Sequence, residues 1–277
     1  MSSGKIIFIT GVSSGFGRAL AQEALTAGHR VVGTVRSVPA RQAFEALDPA
    51  QASGYLLDVT DITAIGTVVS DVETRIGPID VLVNNAGYGH EGIMEESSLD
   101  DMRQQFDVNV FGPVAIMKAV LPHMRTRRRG HILNITSMGG FITLPGIAYY
   151  CGSKFALEGI SEALGKEVKS FGITVTAVAP GSFRTDWAGR SMIRAARTIA
   201  DYDALFDPIR QAREAKSGAQ LGDPVKAARA MLAAIESDMP PAHLLLGSDA
   251  LTLVREKWTA LAAELDAWER VTRSTDG

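Results

Sequence analysis

The feature that most restricts what this chain can fold into is a rhythm. Short apolar runs rich in valine and isoleucine alternate with longer stretches of helical spacing. Ile6 to Ile9 reads as a strand, and Arg18 to Ala27 as a helix closed by Gly28. Val31 to Val35 is the next strand, Pro39 to Leu47 a helix, and Tyr55 to Val59 a third strand with Asp58 at its end. Ile62 to Ile76 has helical spacing and stops at Gly77-Pro78, and Ile79 to Val83 is a fourth strand. A long helical stretch, Leu99 to Arg128, leads into the fifth strand, His131 to Thr136. Tyr149 to Phe171 is helical and leads into the sixth strand, Ile173 to Ala179; Leu244 to Leu246 is a candidate seventh.

These strands are nearly continuous apolar runs, as a parallel sheet covered on both faces requires. Repeated βα units with right-handed crossovers predict an α/β fold, a doubly wound parallel sheet of the Rossmann type in three layers. A chain of 277 residues with no linker-like segment suits a single domain over 1–277. Thr185 to Gly222 has helical patches without a strand rhythm, and a mobile substrate flap over the site is expected at 185–222.

A net charge of -3 gives no reason to expect nucleic acid or an anionic membrane as partner. The run Arg125, Arg127, Arg128 and Arg129 reads as the solvated end of a helix. A lone cysteine, Cys151, excludes an intrachain disulfide and reads as a small apolar filler. The five histidines are scattered without metal-ligand spacing, so no metal is expected. No long apolar stretch precedes Ile6, and no segment approaches the ~20 apolar residues of a membrane span. A soluble cytoplasmic protein acting on a small molecule is the expectation.

Straight after the first strand comes Thr10-Gly11-Val12-Ser13-Ser14-Gly15-Phe16-Gly17, opening a helix. Gly11 permits the tight turn, Gly15 lets backbone approach a pyrophosphate, and Gly17 lets the helix pack closely on the sheet. The helix N-terminus then offers unpaired N–H groups and partial positive charge to phosphates. The second strand ends Thr34-Val35-Arg36, with no carboxylate for ribose hydroxyls and one fork-shaped donor suited to a 2′-phosphate. NADP(H) is the expected cofactor, with NAD(H) used less well. Downstream, Tyr150 and Lys154 stand four apart at the start of a helix, within ~40° of one face. An ammonium beside a phenol is expected to lower the tyrosine pKa. Tyr149 lies about 140° from Lys154 round the helix and cannot share that face.

The Gly-rich turn, Asn84-Asn85-Ala86-Gly87, Asn109, Ser137, Tyr150 with Lys154, and Pro180-Gly181 with Thr185 follow one another in order. Together they resemble the short-chain dehydrogenase/reductase family in its compact single-domain branch, densely over residues 5 to 185. The resemblance implies interconversion of an alcohol and a ketone or aldehyde by hydride transfer. Tyr150 would be the general acid and base, Lys154 its electrostatic partner and a ribose ligand, Ser137 the donor to the substrate oxygen, and Asn109 a support for a water-mediated proton route. It also implies Asp58 and Val59 near the adenine, Asn85, Ala86 and Gly87 along the cofactor, and Thr185 at the carboxamide. Asp58 could equally cap the helix that begins near Asp61.

Two rival readings of the same fold are disfavoured. A cofactor sensor would be expected to lack Tyr150 or Lys154, and a halohydrin dehalogenase would carry arginine for Lys154 and no nucleotide turn. Tyr88, Phe141, Ile142, Leu144, Phe183, Trp187 and Met192 are candidate pocket residues, and their apolar character suggests a hydrophobic substrate. The resemblance further implies a homodimer or homotetramer through the helices after Leu99 and after Tyr149.

Overall fold

In a computed structural model, which describes residues 4–185, 187, 189 and 191–277, the strand rhythm becomes one parallel sheet. In chain order the strands are β1 (Ile6–Thr10), β2 (Arg30–Val35), β3 (Ala52–Leu56), β4 (Val81–Asn84), β5 (Gly89–Glu91), β6 (Gly130–Ile135), β7 (Ile173–Pro180), β8 (Met192–Arg194) and β9 (His243–Leu246). The helices are α1 (Gly15–Thr26), α2 (Val38–Glu45), α3 (Ile62–Asp71), α4 (Leu99–Phe106), α5 (Gly112–Arg127), α6 (Ala148–Val168), α7 (Asp203–Ala215), α8 (Pro224–Glu236) and α9 (Ser248–Arg273). Seven strands lie in the order β3-β2-β1-β4-β6-β7-β9. The order reverses between β1 and β4, which opens a crevice at the strand C-termini.

Alternation along β1 shows why both faces must be covered. Ile7 and Ile9 point into a core with Leu20 of α1, Phe44 of α2 and Met231 of α8. Ile6 and Phe8 point into the opposite core with Ile65 of α3, Ile116 and Val120 of α5, and Val168 of α6. A period of two thus sends successive side chains into separate cores and makes the three layers. Each such burial is worth ~1.5–3 kcal/mol.

Four boundaries differ from the sequence reading. The third strand lies at Ala52–Leu56, not Tyr55 to Val59, because Val31 to Val35 pair with Ala52 to Leu56. Leu57 N–H still donates to the Val35 carbonyl at 2.9 Å, but the chain then leaves the ladder, and Leu57 and Val59 are apolar because both are buried in the core. The first helix begins at Gly15 rather than Arg18, since its opening glycines carry no helical pattern. The stretch after Ile62 ends in a π turn, Val72–Ile76. Leu99 to Arg128 is likewise broken, with the π turn Asp107–Phe111 between α4 and α5.

Three-residue strands β5 and β8 form a separate parallel pair that the sequence did not signal. Arg125, Arg128 and Arg129 are exposed as expected, whereas Arg127 turns inward, donating to the Glu73 carboxylate at 2.6 Å and to the Ile79 carbonyl at 3.0 Å. No helix among the described residues is long and apolar enough to cross a membrane.

Candidate active site

The Gly-rich turn is built by its neighbours. Gly11 has φ +72°, which favours glycine, and its N–H donates to the Thr34 carbonyl at 3.1 Å. A Cβ on Gly17 would lie 2.3 Å from the Gly11 carbonyl oxygen and 2.4 Å from Asn85 Nδ2, so only glycine lets α1 start this close to the sheet. Asn85 Nδ2 in turn donates to the Thr10 and Gly11 carbonyls, at 2.8 and 3.0 Å. Thr10 Oγ1 accepts from the backbone N–H groups of Asn85 and Ala86 at 3.0 and 2.9 Å. The turn after β1 and the loop after β4 are therefore one rigid unit. At the head of α1, Ser14 makes no side-chain cap, which leaves the first N–H groups free for an anion. Thr185 sits over Gly15, whose Cβ position is 3.8 Å from Thr185 Cβ.

Beside this cradle, Arg36 is exposed at the end of β2. Asp58 accepts from Thr60 N–H at 2.9 Å, and Asp61, not Asp58, caps α3 by accepting from Ala64 N–H. Those Thr60 hydrogen bonds, helped by the nearby Arg36 charge, hold the Asp58 carboxyl below its ordinary value. Val59 is buried beneath the start of α5. Gly11 to Gly17, Arg36, Asp58 with Val59, Asn85 to Gly87, and Pro180, Gly181 and Thr185 thus lie at or just beyond the C-terminal ends of β1, β2, β3, β4 and β7.

Helix α6 carries the Tyr150 and Lys154 pair. Tyr150 and Lys154 are both buried, one turn apart on the same face. The Ser137 hydroxyl accepts Gly139 N–H at 3.0 Å, and it and the Tyr150 ring each lie 3.3 Å from the Cβ position of Gly139, which sets the serine beside the phenol. Lys154 Nζ donates to the Ile135 carbonyl at 2.8 Å and lies 5.8 Å from the Tyr150 ring centre. The direction of the tyrosine shift is the reverse of the one expected. Burial raises the phenol above its ordinary value and the Ser137 hydroxyl only partly opposes it. The lysine is also affected: burial lowers its ammonium to about 8, with Glu158 opposing.

Asn109 is placed by the π turn, where an irregular backbone aims its amide inward. Its Oδ1 accepts from Tyr88 N–H at 3.2 Å, and its Nδ2 donates to the Tyr88 carbonyl and to Ser153 Oγ, at 3.0 and 3.2 Å. Gly87 stands between Asn109 Oδ1 and Lys154 Nζ, 3.0 and 3.8 Å from its Cβ position. Three residues outside the expected set belong here. Thr10 locks the turn, Ser153 links Asn109 to the Tyr150 carbonyl at 2.7 Å, and buried Glu158 bonds Thr136 and His243, at 2.5 and 3.1 Å. Thr10 and Ser153 each adjoin a motif residue, and Glu158 lies four residues beyond Lys154 on the same face.

The pocket beside Tyr150 is smaller than the sequence list. Ile147, Cys151 and Trp187 pack with Tyr150, whose ring centre is 5.0 Å from that of Trp187. Met192 approaches Gly89 nearby. Phe183 instead belongs to the core, edge-on to Phe16 at 5.2 Å. Phe141 turns away to His243 and Trp258. Within the 185–222 stretch, Arg197 bonds buried Glu96 at 2.9 Å and Arg213 bonds buried Glu91 at 2.7 Å. Among the described residues no group of three or more His, Cys, Asp or Glu is placed to hold a metal ion.

Fold and site together define a class: a doubly wound α/β protein with a glycine cradle at its switch point and a buried Ser/Tyr/Lys group beside it. The family model described as short chain dehydrogenase matches residues 5–194, and the chain belongs to that family. It is 36% identical over 269 residues to oxidoreductase BOA17 of Botryotinia fuckeliana, covering 96% of this chain and 97% of the relative. A solved short-chain dehydrogenase from Streptomyces avermitilis superposes with a TM-score of 0.93 at 41% identity, covering 100% of both chains. ElxO, solved with NADP bound, superposes with a TM-score of 0.75 at 26% identity, over 90% of this chain and 99% of that one.

Proposed function

We propose that the protein is an NADP(H)-dependent oxidoreductase that interconverts a ketone or aldehyde and an alcohol, with Tyr150 as its general acid and base. The observation that carries this reading is the buried cluster of Ser137, Tyr150 and Lys154, with Lys154 Nζ 5.8 Å from the Tyr150 ring centre, at the edge of the glycine cradle. The cradle fits a dinucleotide: close backbone, free helix N–H groups and no carboxylate at the end of β2. Gly11 to Gly17, Asn85 to Gly87 and Thr185 would hold it, and the NADP bound by ElxO supports a nicotinamide cofactor here. When bound, the nicotinamide supplies a hydride to the carbonyl carbon or accepts one from the alcohol.

In the reducing direction Tyr150 gives its phenolic proton to the carbonyl oxygen, and Ser137 donates a hydrogen bond to that oxygen as charge develops. A buried phenol with a raised pKa holds its proton until the substrate oxygen becomes basic. Lys154, at about 8, is mostly charged at neutral pH and stabilises the phenolate that results. Asn109 supports proton resupply toward Lys154. The substrate is hydrophobic, with Ile147, Trp187 and Met192 around Tyr150. Trp187 Nε1 is buried without an acceptor and offers one hydrogen bond to a polar atom of that substrate. The 185–222 stretch, carrying Trp187, Met192 and α7, acts as the flap. Exposed Phe111 and Phe155 near α5 and on α6 support a homo-oligomer through that face.

A panel of apolar ketones and aldehydes, assayed for carbonyl-dependent loss of NADPH at neutral pH, tests the reading. Turnover with NADPH exceeding that with NADH is expected. NADPH binding without turnover of any member would instead favour a sensor.

A further inference from the structure

Helix α9 leaves the body of the protein after its first two turns. Ala250 and Val254 are buried, whereas every residue from Arg255 to Gly277 is exposed. The helical part from Arg255 to Arg273 projects roughly 28 Å at ~1.5 Å per residue. A helix standing alone in water has no use for apolar residues, yet this one carries a stripe of them. Leu251, Val254, Trp258, Leu261, Leu265 and Trp268 recur at alternating spacings of three and four. That is the narrow 3.5-residue seam of a coiled coil rather than the wider face of a helix laid on a sheet.

Among the described residues, only the inner end of the seam is covered by other parts of the chain. Val254 is covered by the body, and the Trp258 ring leans on Phe141 with centres 6.1 Å apart. Beyond that, Leu265 and Trp268 are each 62% exposed, and Trp258 itself remains 55% exposed. A tryptophan can bury ~150–250 Å². Two of them with two leucines make an apolar patch of several hundred Å², the size that marks an interface on a soluble protein.

The charges beside the seam identify what covers it. Arg255 and Lys257 flank it near the body, and Glu264 and Glu269 flank it toward the tip. Among the described residues Arg255, Lys257 and Glu264 have no ion-pair partner in the chain, while Glu269 holds Arg273 on its own helix. Two such helices laid antiparallel set the basic end of each seam against the acidic end of the other. Laid parallel, they would bring the glutamates of both tips together and the basic residues of both bases together. The antiparallel arrangement also sets the two globular bodies at opposite ends of the paired helices. We propose that α9 pairs antiparallel with α9 of a second copy of this chain, through Trp258, Leu261, Leu265 and Trp268. This contact is separate from the α5 and α6 face.

Leu265→Glu combined with Trp268→Glu tests the seam by sedimentation mass in solution. The particle mass is expected to halve relative to the unmodified protein, with NADPH-dependent turnover unchanged because neither residue approaches the site. Arg255→Glu with Lys257→Glu should also halve it, and adding Glu264→Lys with Glu269→Lys to the same chain should restore it. Equal masses for the unmodified protein and the seam variant would overturn the proposal. So would failure of the fourfold charge exchange to restore association. An unassociated protein that instead co-sediments with phosphatidylcholine–phosphatidylserine vesicles would overturn it in favour of a lipid surface.

Discussion

Lys154 is held fully inside the protein, and burial lowers its ammonium from 10.5 to about 8. At ~1.4 kcal/mol per pKa unit, keeping that charge in the folded state costs on the order of 3 kcal/mol at neutral pH. The folded pKa lies below the unfolded one, so the unfolded chain binds more protons between about 8 and 10.5, and stability rises with pH across that window. Lys154→Met replaces the ammonium with an apolar chain of similar length and removes this dependence. It also leaves the Ile135 carbonyl without its donor, a loss of ~1–3 kcal/mol. At pH 7 the variant should therefore match or exceed the unmodified protein in stability. From pH 7 to pH 9 the unmodified protein should gain on the order of 1 kcal/mol relative to the variant. Urea unfolding of both proteins at pH 7, 8 and 9, without cofactor, measures the difference. Curves that stay parallel across that range would refute the burial argument.

Three further outcomes follow from the same geometry. Gly17→Ala puts a Cβ against the Gly11 carbonyl and Asn85, and NADPH affinity should fall at least tenfold by titration of its fluorescence, with ~1–3 kcal/mol of stability lost. Arg36→Ala should raise the Michaelis constant for NADPH by about 10- to 150-fold while leaving that for NADH almost unchanged; equal effects on both would make Arg36 a surface residue. Glu158→Gln removes the carboxylate that opposes burial at Lys154, so the lysine pKa drops below about 8 and the high-pH limb of the pH–rate profile moves to lower pH. A limb that stays in place would detach it from Lys154.

How much of this was legible in the sequence depended on how local the signal was. The parallel sheet was readable because runs such as Val31 to Val35 are apolar on both faces, which no half-exposed strand requires. The third strand was misplaced because Ala52, Ser53 and Gly54 carry little strand propensity and are held by β2. Likewise β5 and β8 are three residues each, and their pairing across about a hundred residues leaves no local pattern. At the site, the glycine turn and the Tyr150–Lys154 spacing were visible, whereas the tyrosine pKa was misread. Sequence spacing shows that a lysine shares the helix face, but not that both groups are desolvated and that Nζ is engaged by Ile135. Phe141 and Phe183 show the same limit: an apolar residue near a strand end lines a pocket or fills a core, and only packing decides. The seam on α9 was fully present in the spacing of its residues, although nothing in the βα rhythm called attention to it.

The proposed chemistry turns on one oxygen atom, the Tyr150 hydroxyl. Tyr150→Phe removes it while leaving the ring that packs on Trp187, so the site should keep its shape. Turnover of the best carbonyl substrate should fall by at least ~10²–10⁴-fold, as expected for losing an acid/base group. NADPH affinity, measured on the same preparation by fluorescence, should stay within about twofold, and Tyr149→Phe should leave both nearly unchanged. Turnover close to that of the unmodified enzyme in Tyr150→Phe would contradict the assignment of Tyr150 as the proton donor.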